Sequence, residues 1–278
     1  MAPNDERVDR AKPSDGDEAF WREYLTRGDA AETRARRVLK HLPHGPRCKL
    51  CAAPFAGPGA PFMRAIGKRP AMKNPSVCSA CFDYMEKHHG GAEIDGSYLF
   101  ADIRGSTTLA ERLSPGEFRS LIDRFYATTS KVVFDHDGGV DKFVGDEIVA
   151  FFFPLLSGPS HAAKAVATAL AILRATGHED PDRPWVPVGV GVSSGFAWVG
   201  AVGDEKHTDL TALGDNVNIA ARLGGVARAG EVLVTAEAAA AAGLDSALPT
   251  HDLELKGKQS ATRVVSLTVG RVPAPAAS

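Results

Sequence analysis

One stretch, SYLFADIRGSTTLAERL at residues 97–113, constrains the fold more than any other part of the chain. An apolar, β-prone run ends on the carboxylate of Asp102, and small residues then lead straight into a helical pattern. Burying an unpaired carboxylate is expensive, so the strand tip must either neutralise Asp102 or use it as a site. A local account also exists, because Asp102 suits the N-cap of the helix that follows.

Around this stretch, strands and helices interleave. A strand at 97–103 leads to a helix near 107–113 and a second near 115–134, opened by SPGEF. DGG then turns the chain into the hairpin VDKFVGDEIVAFFF. A helix over HAAKAVATALAILRATG follows, then a strand pair with a tight turn in VPVGVGVSSGFAWVGAVG. After a polar loop come helix NVNIAARLGGVA, strand EVLVT, an Ala-rich helix and a last strand pair. The pattern predicts an α+β domain with a mixed, mostly antiparallel sheet covered by helices.

The first third of the chain differs. Residues 1–17 read as a disordered, charged tail, and 270–278 as a second tail. Residues 18–44 carry Phe20, Trp21, Tyr24, Leu25, Val38 and Leu39 among Arg and Glu, as in an interrupted amphipathic helix. Residues 45–90 form a segment and linker: 45–82 are Pro/Gly-rich and hold too few large apolar side chains to fold by burial alone, and the linker-like EKHHGGAEID begins at Glu86.

Charge follows the same division: up to Gly90, 16 Lys+Arg stand against 11 Asp+Glu, and beyond it 16 against 23. The net charge of −2 argues against a nucleic-acid coat or a polybasic membrane tether. No apolar run approaches the length of a spanning helix, and the polar N-terminus is unlike a signal peptide. A cytoplasmic protein without membrane contact is expected, in which four cysteines are not structural disulfides.

Those cysteines form C-x2-C…x26…C-x2-C, as CKLC (Cys48, Cys51) and CSAC (Cys78, Cys81). Two such pairs in a core-poor segment point to four thiolates on one tetrahedral metal. Zinc is the first expectation and iron, alone or as an Fe–S cluster, the alternative, because the ligand set does not choose between them. His88 and His89 lie near Cys81 and could serve as alternate ligands, but they read first as solvated linker residues. Basic residues nearby (Arg47, Lys49, Arg64, Lys68, Arg69, Lys73) would also suit an anionic surface. A structural knuckle is the simplest role, and a redox or metal sensor with an unidentified regulatory input the sharper one.

A second acid, Asp146, lies at the corner of the hairpin DKFVGDEIVAFF, where Gly-Asp is also ordinary turn chemistry. Two carboxylates at neighbouring strand ends are what a pair of hard cations beside a phosphate needs. His136, His161 and His207 show no ligand spacing, and neither a P-loop nor a G-x-S-x-G elbow is present.

LFADIRGST, DKFVGDEIVAFF and TALGDNVNIAARL, in that order, resemble the class III nucleotidyl (adenylyl/guanylyl) cyclase catalytic domain over residues 93–269. The resemblance implies a ferredoxin-like, palm-type cyclase domain, preceded here by the N-terminal helix and the four-cysteine knuckle. It implies that Asp102, Asp146 and the Ile103 carbonyl bind two Mg2+ or Mn2+ ions. Lys142 would read the purine edge, with Thr211 in the partner position where many members have Asp. Asn218 and Arg222 would orient the ribose and stabilise charge on the transferring phosphate. Lys256 or Lys258, in LKGKQ, would reach the terminal phosphates, and the motif does not say which.

The residue types fit this chemistry. Asn218 and Arg222 are four apart on a helix and share a face, and Arg offers a planar fork to phosphate oxygens. A lysine can donate to adenine N1 and a threonine hydroxyl can accept from N6, whereas guanine presents the opposite pattern. Guanylyl members of the family tend to have Glu and Cys at these positions. ATP is thus expected over GTP, with relaxed preference as an alternative because a hydroxyl both donates and accepts. The family assembles its sites across head-to-tail dimers, so a homodimer with two equivalent sites is implied. The alternatives are a catalytically silent cyclase-fold module that binds nucleotide or a signalling partner, and a nucleic-acid-binding regulator built on the four-cysteine segment.

Overall fold

In the computed structural model, the structure describes residues 15–28, 34, 36, 38–39, 46–88, 90–180, 184–203, 208–258 and 260–269. The expected tails (but for residues 15–17), His89 and His207 lie outside the described residues. The N-terminal part contains α1 (Asp15–Arg27), α2 (Ala60–Ala65) and α3 (Ser79–Lys87). The chain continues through β1 (Gly90–Ile103), α4 (Ser106–Arg112), α5 (Pro115–Asp135), β2 (Gly139–Val144) and β3 (Glu147–Phe152). Then come α6 (Pro154–Ser157), α7 (His161–Ala175), β4 (Val188–Gly203), β5 (Thr208–Leu213) and α8 (Asp215–Val226). The order closes with β6 (Glu231–Thr235), α9 (Ala236–Ala241), β7 (Thr250–Leu253) and β8 (Thr262–Thr268).

The eight strands form one sheet in the order β2-β3-β1-β4-β6-β8-β7, with β5 paired to β4 off this path. Every pairing is antiparallel except β4 with β6. Residues 96–101 of β1 are buried on both faces, which is why the sequence there runs apolar instead of alternating. Leu99, Ala101 and Ile103 join a core with Phe125, Phe152 and the buried side of α7. Tyr98 and Phe100 point to the other face, where Trp21, Leu25 and the four cysteines share their core.

The N-terminal segment is therefore packed against the sheet instead of hanging beside it. Trp21 Nε1 donates to the His88 carbonyl at 2.9 Å, and the His88 ring stacks on Phe20 with centroids 4.0 Å apart. His88 is thus a packing residue of the module and not a solvated linker. α1 stops at Arg27, and Gly28, at φ +63°, returns its N–H to the Tyr24 carbonyl at 2.8 Å. Arg34, Arg36, Val38 and Leu39 are helical again, so the expected helix over 18–44 is interrupted there.

Two expected strands are longer than predicted. β1 begins at Gly90, because exposed Glu93 and Asp95 alternate with buried Ala92 and Ile94 in the stretch read as linker. β4 is one 16-residue strand where a strand pair and tight turn were expected. Its glycines serve close packing instead. A Cβ at Gly191 would stand 2.2 Å from Gly224 N and 2.3 Å from the Ala220 carbonyl oxygen, so α8 lies directly on β4.

Candidate active site

The two acids lie at adjacent strand ends. Asp102 stands opposite Glu147 in the β1–β3 register, and the Ile103 N–H donates to the Asp146 carbonyl at 3.2 Å. Asp146 occupies the hairpin turn after Gly145, whose φ of +61° a side chain would resist. Arg104 forms an ion pair with Asp102, and its Nη1 donates to the Gly225 carbonyl at 2.6 Å. That bond ties the strand tip to the end of α8. Burial and the charge of Asp146 push the Glu147 carboxyl up to about 7, against the opposing pull of Arg104. Asp102, Asp146 and Glu147 surround the one cation of Arg104. Carboxylate oxygens are hard donors, the kind that Mg2+ or Mn2+ takes.

A second cluster lies across β2 and β5. Lys142 Nζ donates to Thr211 Oγ1 at 3.0 Å, and Thr211 Oγ1 donates to Asp141 Oδ2 at 2.8 Å. A register shift between Val140 and Lys142 marks a bulge, which turns Asp141 inward and leaves Lys142 exposed. The Thr211 hydroxyl has one hydrogen to donate, and it is donated to Asp141. Toward any further ligand Thr211 is thereby an acceptor. Asp141 itself is 5% exposed, and burial raises its pKa against the charges of Lys49 and Lys142. Sequence reasoning passed over Asp141; the signal was an acid within the buried start of β2, directly before Lys142.

The third cluster is on α8. Asn218 is exposed and Arg222 half-buried, one turn apart. A Cβ on Gly257 would lie 3.4 Å from Arg222 Nη2, so the LKGK loop borders the guanidinium. Lys258 Nζ pairs with Asp215 at 2.6 Å, while Lys256 is exposed. Among the described residues no hydrogen bond or ion pair joins the Asp102–Asp146 pair to the Lys142–Thr211 pair.

The four cysteines converge. Cys48, Cys51, Cys78 and Cys81 are all buried, with ligand atoms within 4.8 Å of one another. Cys51 Sγ lies 3.7 Å from Cys78 Sγ, and a tetrahedron with metal–sulfur bonds of about 2.3 Å has edges of about 3.8 Å. The Cys78 N–H donates to Cys48 Sγ at 3.3 Å. Cys78 caps α3 and Cys81 sits in its first turn, while α2 fills the long interval between the two pairs. Hydrogen bonds from the other three thiols, aided by Lys68, push the Cys51 thiol down, and burial pushes Cys48 up. The cluster could hold a metal ion.

Beyond geometry, residues 94–266 match the adenylate and guanylate cyclase catalytic domain. The chain belongs to this cyclase family. Among curated relatives, adenylate cyclase 1 of Rhizobium meliloti is 33% identical over 147 residues, covering 50% of this chain but 22% of that protein. The chain thus spans under a quarter of that relative. Among solved structures, the guanylyl cyclase Cya2 superimposes with a TM-score of 0.60 at 25% identity, covering 66% of this chain and 96% of that one. The adenylyl cyclase CyaB from P. aeruginosa gives 0.57 at 25% identity, covering 66% and 100%. In this cyclase-family chain the N-terminal module lies ahead of the matched region. No helix among the described residues is long and apolar enough to cross a membrane.

Proposed function

We propose that the chain is an adenylyl cyclase that converts ATP to 3′,5′-cyclic AMP and pyrophosphate at sites shared across a homodimer. The observation that carries the choice of base is the Lys142–Thr211–Asp141 chain of hydrogen bonds. Lys142 donates to adenine N1, and Thr211, its proton committed to Asp141, accepts from the N6 amine. Guanine would offer Thr211 an O6 acceptor and leave it without a donor, at a cost of about 1–3 kcal/mol for the unpaired group.

The reaction is an in-line attack of the ribose 3′-hydroxyl on the α-phosphorus, with pyrophosphate leaving. Asn218 holds the ribose, and Arg222 spreads its donors over the phosphate oxygens as charge builds there. Lys256 or Lys258 binds the terminal phosphates; Lys258 pairs with Asp215, and among the described residues Lys256 has no such ion pair. Asp102, Asp146 and the Ile103 carbonyl would hold two Mg2+ or Mn2+ ions, which would acidify the 3′-hydroxyl and offset charge on the departing phosphates. Arg104, paired with Asp102, would have to give up that ion pair for the carboxylate to hold an ion.

Among the described residues no hydrogen bond or ion pair joins the carboxylate pair to the Lys142–Thr211 pair. A head-to-tail dimer would bring the acids of one subunit to the base- and ribose-binding residues of the other. Zinc at the four cysteines completes the reading, with iron as the alternative, and both ATP supply and reduced thiols fit a cytoplasmic setting. The test is incubation of the purified chain with ATP and Mn2+, with products identified by mass spectrometry. Cyclic AMP and pyrophosphate are expected, and neither from Asp102→Ala. Nucleotide binding without turnover would favour the silent module instead.

A further inference from the structure

Lys49 stands between Cys48 and Cys51, yet it reaches out of the knuckle into the cyclase sheet. Its side chain is 6% exposed, and Nζ lies 2.7 Å from Asp209 Oδ1 and 3.6 Å from Asp141 Oδ1. It also donates to the Leu210 carbonyl at 3.4 Å. Asn74, from the loop ahead of Cys78, donates to Asp209 Oδ1 and to the Thr208 carbonyl, each at 2.9 Å. Both arms of the cysteine module therefore grip β5, the strand that carries Thr211. Among the described residues Asp141 Oδ1 has no hydrogen-bond partner and faces Lys49 as its countercharge. Arg36 Nη1 donates to the Lys49 carbonyl at 3.2 Å and fixes the loop from behind.

We propose that the four-cysteine knuckle governs the nucleotide pocket. Lys49 is the positioning residue that connects them: it stabilises Asp141 as an anion, Asp141 accepts the Thr211 hydroxyl hydrogen bond, and Thr211 stays an acceptor for an adenine amine. The cysteines hold the CKLC loop that aims Lys49, so metal loading of the knuckle and binding of adenine nucleotide reinforce one another. Such coupling is reciprocal, because each ligand changes the affinity of the other by the same factor. The inference rests on the adenylyl cyclase reading and adds regulation to it. It also removes Lys49 from any anion-binding surface, since its charge is spent inside the protein.

The test uses the full chain loaded with Zn2+. Lys49→Met keeps the length of the side chain and removes the charge, and Asp141→Asn alters the next member of the relay from the sheet side. Each variant is expected to raise KM for ATP and lower the ATP:GTP ratio of kcat/KM by about tenfold, with kcat changed less, a coupling in the usual range. Lys49→Arg should retain most of the preference. In the reciprocal measurement, a non-cyclisable ATP analogue should shift the equilibrium of Zn2+ transfer to a chromogenic chelator, with Mg2+ in excess, toward the protein by about tenfold in the parent and not in Lys49→Met. If Lys49→Met does not fold, Asp141→Asn and zinc transfer from the parent decide. Cyclic AMP production with an unaltered KM, base ratio and zinc transfer would overturn the relay and leave the cyclase standing. A parent chain that binds no nucleotide overturns both.

Discussion

Lys142 and Thr211 are joined by a 3.0 Å hydrogen bond across 69 residues of sequence. The bond closes only because β2 and β5, at opposite sides of the β1–β4 pair, lean toward each other at one end of the sheet. If this pair reads the base, Lys142→Glu with Thr211→Cys should exchange its donors and acceptors. The double variant is expected to lose ATP cyclisation by roughly 10–100-fold, the cost of an unpaired buried polar group, and to gain activity on GTP. Competition between equimolar ATP and GTP, with both cyclic products quantified, measures it.

The cysteine cluster should bind one metal ion per chain, and its loss should loosen the face that Trp21 and Leu25 share with the sheet. Cys78→Ser is expected to lose the metal and lower Tm by several degrees, read by elemental analysis and thermal unfolding. Cysteines left without metal would become reactive toward alkylating reagents.

Stability should fall in acid through His178. Its Nε2 accepts the Val188 N–H at 3.0 Å, so the folded state needs a neutral ring, and burial lowers its pKa. A depressed histidine pKa means that the unfolded chain binds the proton first. Stability is therefore full above the unfolded value of about 6.5 and declines as pH falls toward the lower folded pKa. Denaturant titrations across that window should show a slope that His178→Gln reduces; an unchanged slope would contradict the assignment. His161, also lowered by burial although Asp95 opposes the shift, adds to the slope with the same sign.

Gly191→Ala should be severely destabilising, by about 3 kcal/mol or more, since its Cβ would collide with the α8 backbone and not with a flexible side chain. Because α8 carries Asn218 and Arg222, any protein that does fold should show a lower kcat. Gly116→Ala, with nothing within 4 Å of its Cβ, is the control.

Much of this arrangement is written locally. Asp102 could be placed because a β-prone run stops there and a helix begins at Ser106; Asp146 because Gly-Asp fills a hairpin corner. The SPGE of α5 forms a full capping box, Ser114 with Glu117. What could not be read depends on contacts distant in sequence. The glycines of β4 look like turn residues until α8 is laid against them, and the alternation in 90–96 is hidden by two exposed acids. The relay from Lys49 through Asp141 joins residues about 90 positions apart, and neither has a local pattern that names the other.

The central claim is that the acids of one subunit act on a nucleotide gripped by the other. Mixing Asp102→Ala with Arg222→Ala, each silent alone, tests it most directly. Random exchange of subunits leaves half the dimers mixed, each with one intact site, so about a quarter of the parent rate should return. A mixture that exchanges subunits, as native mass spectrometry would establish, and still makes no cyclic AMP would contradict the claim.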